Sequence, residues 1–175
     1  LLESEVRELA RRRGVDPVED LPAFRSLVDE AVADWDDRSL AGLVPPVTGA
    51  SKQIMDSVAG LGPLQQYLDD PTIEEIWINR PDQVFVARSG RPELTATLLD
   101  AQTVKDLVER MLRTSGRRLD MSQPFVDAAL PGGERLHVVI PPITASGWSV
   151  NIRKFVARAR QLKDLVALGS LTDQA

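Results

Sequence analysis

Two short stretches constrain this chain more than any others: GGERLHVVIPP, from Gly132 to Pro142, and WSVNIRKF, from Trp148 to Phe155. Both alternate with a period of two. Leu136, Val138 and Ile140 fall on one side, with Arg135 and His137 on the other. In the second stretch Val150 and Ile152 oppose Ser149, Asn151 and Arg153. An extended strand with one buried and one open face places residues in this way. The spacing therefore predicts two half-buried strands, each carrying an arginine on its polar side. A parallel pair would need a long crossover, so short connections predict antiparallel neighbours.

Further strands are predicted at Glu75–Asn79 (EIWIN), Gln83–Arg88 (QVFVAR), about Glu93–Leu98 and Val126–Leu130, with tight turns at 80–82 and 89–91. Trp77, in an apolar strand, reads as core. Helical spacing recurs over 3–13 (Val6, Leu9, Ala10), with Gly14 as its stop, and from Pro22 to about Asp36 (Phe24, Leu27, Val28, Ala31, Val32, Trp35). Ser51 is placed to cap a helix from Lys52 with Ile54, Met55, Val58 and Leu61 as its stripe. A helical turn spans Leu64–Leu68, with Asp69-Asp70-Pro71 as its end. A strongly amphipathic helix spans Ala101–Thr114, and a last one Leu162–Leu168. The class is α+β: a mostly antiparallel sheet flanked by helices, preceded by a small helical module. The expected organisation is a helical module at 1–44, a Pro/Gly-rich linker at 45–51, an α+β domain at 52–160, and a helix and linker at 161–175.

Composition removes several chemistries. There is no cysteine, so neither a disulfide nor a thiolate site can form. A single histidine, His137, excludes a histidine-built metal cluster; without a spaced partner it reads as structural. No apolar run approaches the length of a membrane span, and no signal peptide opens the chain. It begins at Leu1, so the natural N-terminus is expected upstream. The net charge of −5 resides in residues 1–50, which hold 6 Lys/Arg against 11 Asp/Glu, and the remainder is balanced. An acidic total argues against a general nucleic-acid binder, whose affinity comes from neutralising phosphates. Arg11-Arg12-Arg13 ends the first helix, where cations complement the helix dipole.

Basic side chains nevertheless gather in 117–160: Arg117, Arg118, Arg135, Arg153, Lys154, Arg158 and Arg160, against Asp120, Asp127 and Glu134. Arginine presents a planar, permanently charged fork suited to phosphate oxygens. If the strands of Arg135 and Arg153 are neighbours, both guanidiniums can address one anion. The competing reading is of exposed strand arginines paired with Asp120 or Glu134. No phosphate-cradling G-x-x-x-x-G-K-[ST] loop and no hydrolytic Ser/His/Asp set occurs, so the chain carries no complete catalytic machinery.

The segments GLGPLQQYLDDPTIEEIWINRPDQVFVARSGR (Gly60–Arg91), SGRRLDMSQPFVDAALPGGERLHVVIPPITASGWSVNIRKF (Ser115–Phe155) and LKDLVALGSLT (Leu162–Thr172) occur in an order that resembles the N-terminal region of secretion ATPases of the CpaF/TadA type. These are type II/IV secretion ATPases serving Flp, or tight-adherence, pili. The resemblance covers about residues 55–172. It implies an α+β domain that precedes a RecA-like ATPase domain holding ATP and Mg2+ with Walker motifs, in a bacterial homohexamer. The ring would lie in the cytoplasm, peripheral to the inner face of the cytoplasmic membrane, and engage membrane platform proteins. The chain would then be an N-terminal fragment, inactive alone. The resemblance further implies that Arg135 and Arg153 reach the nucleotide's terminal phosphate, with Arg118 and Lys154 flanking them. The alternatives are a non-catalytic interaction or oligomerisation module using the acidic helices, and a nucleic-acid binder using the 117–160 cations.

Overall fold

A computed structural model describes residues 1–113, 115–155 and 166. The expected helix at 162–168 and the candidates Arg158 and Arg160 lie outside the described residues. The chain divides into two compact units, Leu1–Gln66 and Tyr67–Ala175.

The first unit is helical: α1 (Leu2–Arg13), α2 (Leu21–Leu40) and α3 (Ala50–Val58), followed by a 3₁₀ turn at Gly62–Leu64. Leu2, Val6 and Ala10 of α1 meet Phe24, Leu27, Val28 and Trp35 of α2 in one core. Ala50, Ile54, Met55 and Val58 of α3 complete that core. Residues assigned from the sequence to the following α+β domain thus belong to the helical unit, because their stripe is needed to close it. Gly14 ends α1 in the left-handed conformation, and Asp20 caps α2 by accepting from the Ala23 N–H. α3 departs from expectation. It begins at Ala50 behind Gly49, with no side-chain cap, and Ser51 lies inside it. The Pro-rich connection is also anchored: the Trp35 indole N–H donates to the Pro45 carbonyl at 2.9 Å.

The second unit begins inside α4 (Gln65–Asp69) and is built on a six-stranded antiparallel sheet of order β3-β2-β1-β6-β5-β4. Its strands are β1 (Ile73–Arg80), β2 (Gln83–Arg88), β3 (Arg91–Leu94), β4 (Phe125–Ala129), β5 (Arg135–Val139) and β6 (Ser149–Arg153). Two three-stranded meanders, β1-β2-β3 and β4-β5-β6, are joined by antiparallel pairing of β1 with β6. The helix α5 (Ala101–Arg113) connects them and buries Val104, Leu107, Val108, Met111 and Leu112. Across the sheet's inner face run Val126, Val138, Val150, Ile78 and Val84, all buried. Ser89 and Gly90 both have positive φ, the mark of the two-residue turn that matches strand twist. That turn starts β3 at Arg91, two residues earlier than expected. Trp77 is not core: alternation puts it opposite Ile76 and Ile78, half-buried on the outer face.

One corner of this unit is densely bonded. Lys154, just past β6, donates to the carbonyls of Tyr67 (3.1 Å), Leu68 (2.6 Å) and Asp70 (2.6 Å). These carbonyls lie at and just past the end of α4, that of Asp70 also accepting from the Ile73 N–H, and they use all three of the ammonium's donors. Burial pushes the Lys154 ammonium below its ordinary pKa. Beside it the Asp70 carboxylate accepts from the Thr72 hydroxyl and N–H and from Arg88, which also approaches Glu93 at 3.3 Å.

Replacing Lys154 by Met leaves the Tyr67 and Leu68 carbonyls without their donor and the Asp70 carbonyl with the Ile73 N–H alone. We expect a loss of about 1–3 kcal/mol, read from urea denaturation; an unchanged midpoint would show that water replaces the lysine fully. The Asp70 carboxyl is lowered from 3.8 to about 2, chiefly by the Thr72 hydroxyl and then by Arg88. Its stabilising effect is complete above 3.8 and is lost as pH falls through about 2. The Asp70→Asn variant should therefore lose its stability deficit relative to the parent as pH descends through that window. A deficit that stays constant with pH would contradict the assignment.

Candidate anion site

Register decides what the two arginines can do. In the β5–β6 pair Arg135 stands directly opposite Arg153, and in the β6–β1 pair Arg153 stands opposite Glu75. The next row along the same outer face reads Asp127, His137, Asn151, Trp77 and Phe85. Directly opposed side chains on an antiparallel pair have Cβ atoms about 4.5–5.5 Å apart. Two arginine side chains thus leave the outer face from adjacent positions, and both are exposed.

The acids nearby are committed elsewhere. Glu75 accepts from the Asn151 amide at 3.0 Å. Asp127 pairs with His137 Nδ1 at 2.9 Å. Asp120 holds a turn, accepting from the Ser122 and Gln123 N–H groups, and the Ser122 hydroxyl is the foremost cause of its lowered pKa. Among the described residues no ion pair or hydrogen bond engages the side chain of Arg135 or Arg153. The expected pairing with Asp120 or Glu134 is therefore absent. Elsewhere arginines find carboxylates: Arg7 with Glu3, Arg12 with Glu8, Arg13 with Glu30, and Arg38 with Glu5. The triplet Arg11-Arg12-Arg13 accordingly serves the helical unit. Like charges directly opposed across strands destabilise the pair by up to about 1 kcal/mol. Among the described residues no carboxylate bonds to either guanidinium, so the arrangement offers a fork of donors to an external anion.

The two flanking candidates lie elsewhere. Lys154 is consumed by the α4 carbonyls. It follows the last β6 residue, so alternation turns it away from Arg153 and toward the chain behind the sheet. Arg118 lines a separate cleft with Arg113, Arg117 and the half-buried Trp148. Arg113, at the end of the amphipathic helix α5, was not singled out in the sequence; its position in the last turn was the available signal. Among the described residues no group of three or more His, Asp or Glu side chains is placed to hold a metal ion, and no helix is long and apolar enough to cross a membrane.

If the arginine pair is strained by repulsion, Arg135→Gln should raise the melting temperature at low ionic strength, by the equivalent of a few tenths to about 1 kcal/mol. Added sulphate should stabilise the parent more than the variant. A fall in stability would mean that Arg135 has a carboxylate partner.

A family model described as type II/IV secretion system protein matches residues 57–175. The type IV secretion system protein VirB11 of Brucella suis is 35% identical over 128 residues, which is 72% of this chain and 36% of that protein. A putative conjugal transfer protein of Mycobacterium tuberculosis is 29% identical over 129 residues, 70% of this chain and 37% of that protein. Among solved structures, the VirB11 ATPase from the Brucella suis type IV secretion system, in complex with sulphate, superposes with a TM-score of 0.58 at 35% identity. That match covers 63% of this chain and 34% of the other. The chain spans about a third of the length of these relatives. The matched region, identity and fold agree, and this chain belongs to the type II/IV secretion system protein family.

Proposed function

We propose that residues 67–155 form the N-terminal domain of a secretion ATPase and lend Arg135 and Arg153 to an ATP site completed by a RecA-like domain. The observation that carries this reading is the pair of directly opposed arginines on the outer face of the sheet, neither bonded to a carboxylate among the described residues. ATP, held with Mg2+ by the RecA-like domain, supplies the phosphoryl group. Arg135 and Arg153 donate N–H groups to its terminal oxygens and balance the charge that develops there. The pair's own repulsion falls as the anion arrives, so occupancy draws the two domains together and turnover relaxes them. We further place the chain in the tight-adherence (CpaF/TadA) branch, on the segments Gly60–Arg91 and Ser115–Phe155. The parent would be a homohexamer on the cytoplasmic face of the membrane, engaging platform proteins. The helical unit, with its own core and the chain's net acidity, serves as its partner-facing module.

The test uses the parent chain with its ATPase domain. Arg135→Gln and Arg153→Gln should each lower kcat by about 100-fold or more, with the fold unchanged by circular dichroism. Unchanged kcat and unchanged ATP affinity in both variants would overturn the shared site.

A further inference from the structure

The cleft that takes Arg118 away from the arginine pair has a volume of about 690 Å3. It lies between the end of α5, the loop 115–121 and the connection from β5 to β6. Its two sides differ in chemistry. Arg113, Arg117 and Arg118 stand at its exposed rim, and Leu112, Ile140 and Trp148 contribute its apolar wall. Among the described residues, no hydrogen bond or ion pair engages the side chains of these three arginines. Arg118 acts on Asp120 only through its charge, and that carboxylate is already bonded to Ser122 and Gln123. Lys105, also on the rim, is matched by Glu109 at 3.7 Å. Of the two acids that line the cleft, Glu109 pairs with Lys105 and Asp120 is bonded into its own turn, so among the described residues neither is hydrogen-bonded to a guanidinium. The Arg135–Arg153 pair is not among the residues lining it.

We propose that this cleft is a second ligand site, distinct from the arginine pair, for a phosphate ester that carries an apolar or aromatic body. Three forked donors suit the phosphate oxygens. A bare anion would be served by the rim alone and would leave the wall wet. The indole face and the aliphatic side chains gain from covering an apolar moiety. The volume lies in the range of small-molecule sites, about 300–1,000 Å3. A nucleotide and a phospholipid headgroup share this chemistry, and the choice of probe separates them.

Binding to the 175-residue chain is measured by calorimetry with three probes: inorganic phosphate, AMP, and dihexanoyl phosphatidic acid below its micellar concentration. At least one ester should bind 10-fold or more tightly than phosphate. Preference for AMP assigns a soluble nucleotide-like ligand; preference for the lipid assigns a headgroup. The double variant Arg117→Gln/Arg118→Gln should lose that binding. Trp148→Ala should lose the ester's advantage while keeping phosphate binding, and Trp148→Phe should restore it. Arg135→Gln/Arg153→Gln should leave it intact. The proposal is overturned if neither ester exceeds phosphate or if the Arg117/Arg118 variant binds unchanged. It is equally overturned if the Arg135/Arg153 variant abolishes binding, a result that would leave the arginine pair standing as the one anion site.

Discussion

The pairing of β1 with β6 is the interaction on which the second unit depends. Each meander is built from local hairpins, and only this pairing joins the two three-stranded pieces into one six-stranded sheet. Their junction is made by residues more than 70 positions apart, such as Ile76 with Ile152 and Ile78 with Val150. It has two effects at once. It makes the inner face continuous, so that valines and isoleucines from both meanders share one core. It also lays Glu75 beside Arg153, which already faces Arg135. A one-residue slip would exchange every inward and outward side chain. The hydrophobic pattern that secures the core therefore also secures the arginine pair.

Much of this was legible because period-two alternation is a local signal. The strands at 83–88, 135–139 and 149–153 and the stripe of α5 follow from spacing alone, as does the outward placement of both arginines. What escaped was set by contacts distant in sequence. Lys154 looked like one more cation beside Arg153, yet its donors are claimed by carbonyls more than 80 residues earlier. Arg118 looked like a flanking residue, but the loop after α5 directs it to another cleft. Trp77 was read by composition as core, while its parity in the strand places it outside. Ser51 met the chemistry of a helix cap, but the αL conformation at Gly49 started α3 earlier. In each case residue type suggested a role and geometry reassigned it.

The charges divide into two economies. In the helical unit arginines and carboxylates neutralise one another at separations near 3 Å, mostly at exposed positions where each pair contributes little. In the sheet unit the arginines of β5, β6 and the loop after α5 have no such partners among the described residues, although the whole chain is acidic. Net charge thus conceals where attraction for anions resides. A protein of this composition can repel polyanions at long range and still present compact, uncompensated cationic groups at short range.

The corner held by Lys154 has a mechanical consequence. The chain enters the sheet unit at Tyr67 and passes its last described residue before the downstream segment at Phe155, and a single side chain stitches these two points together. Tension applied between them would load the three side-chain bonds of Lys154 together with its backbone N–H bond to the Glu74 carbonyl of β1. The unit is therefore wired as a cassette with adjacent leads.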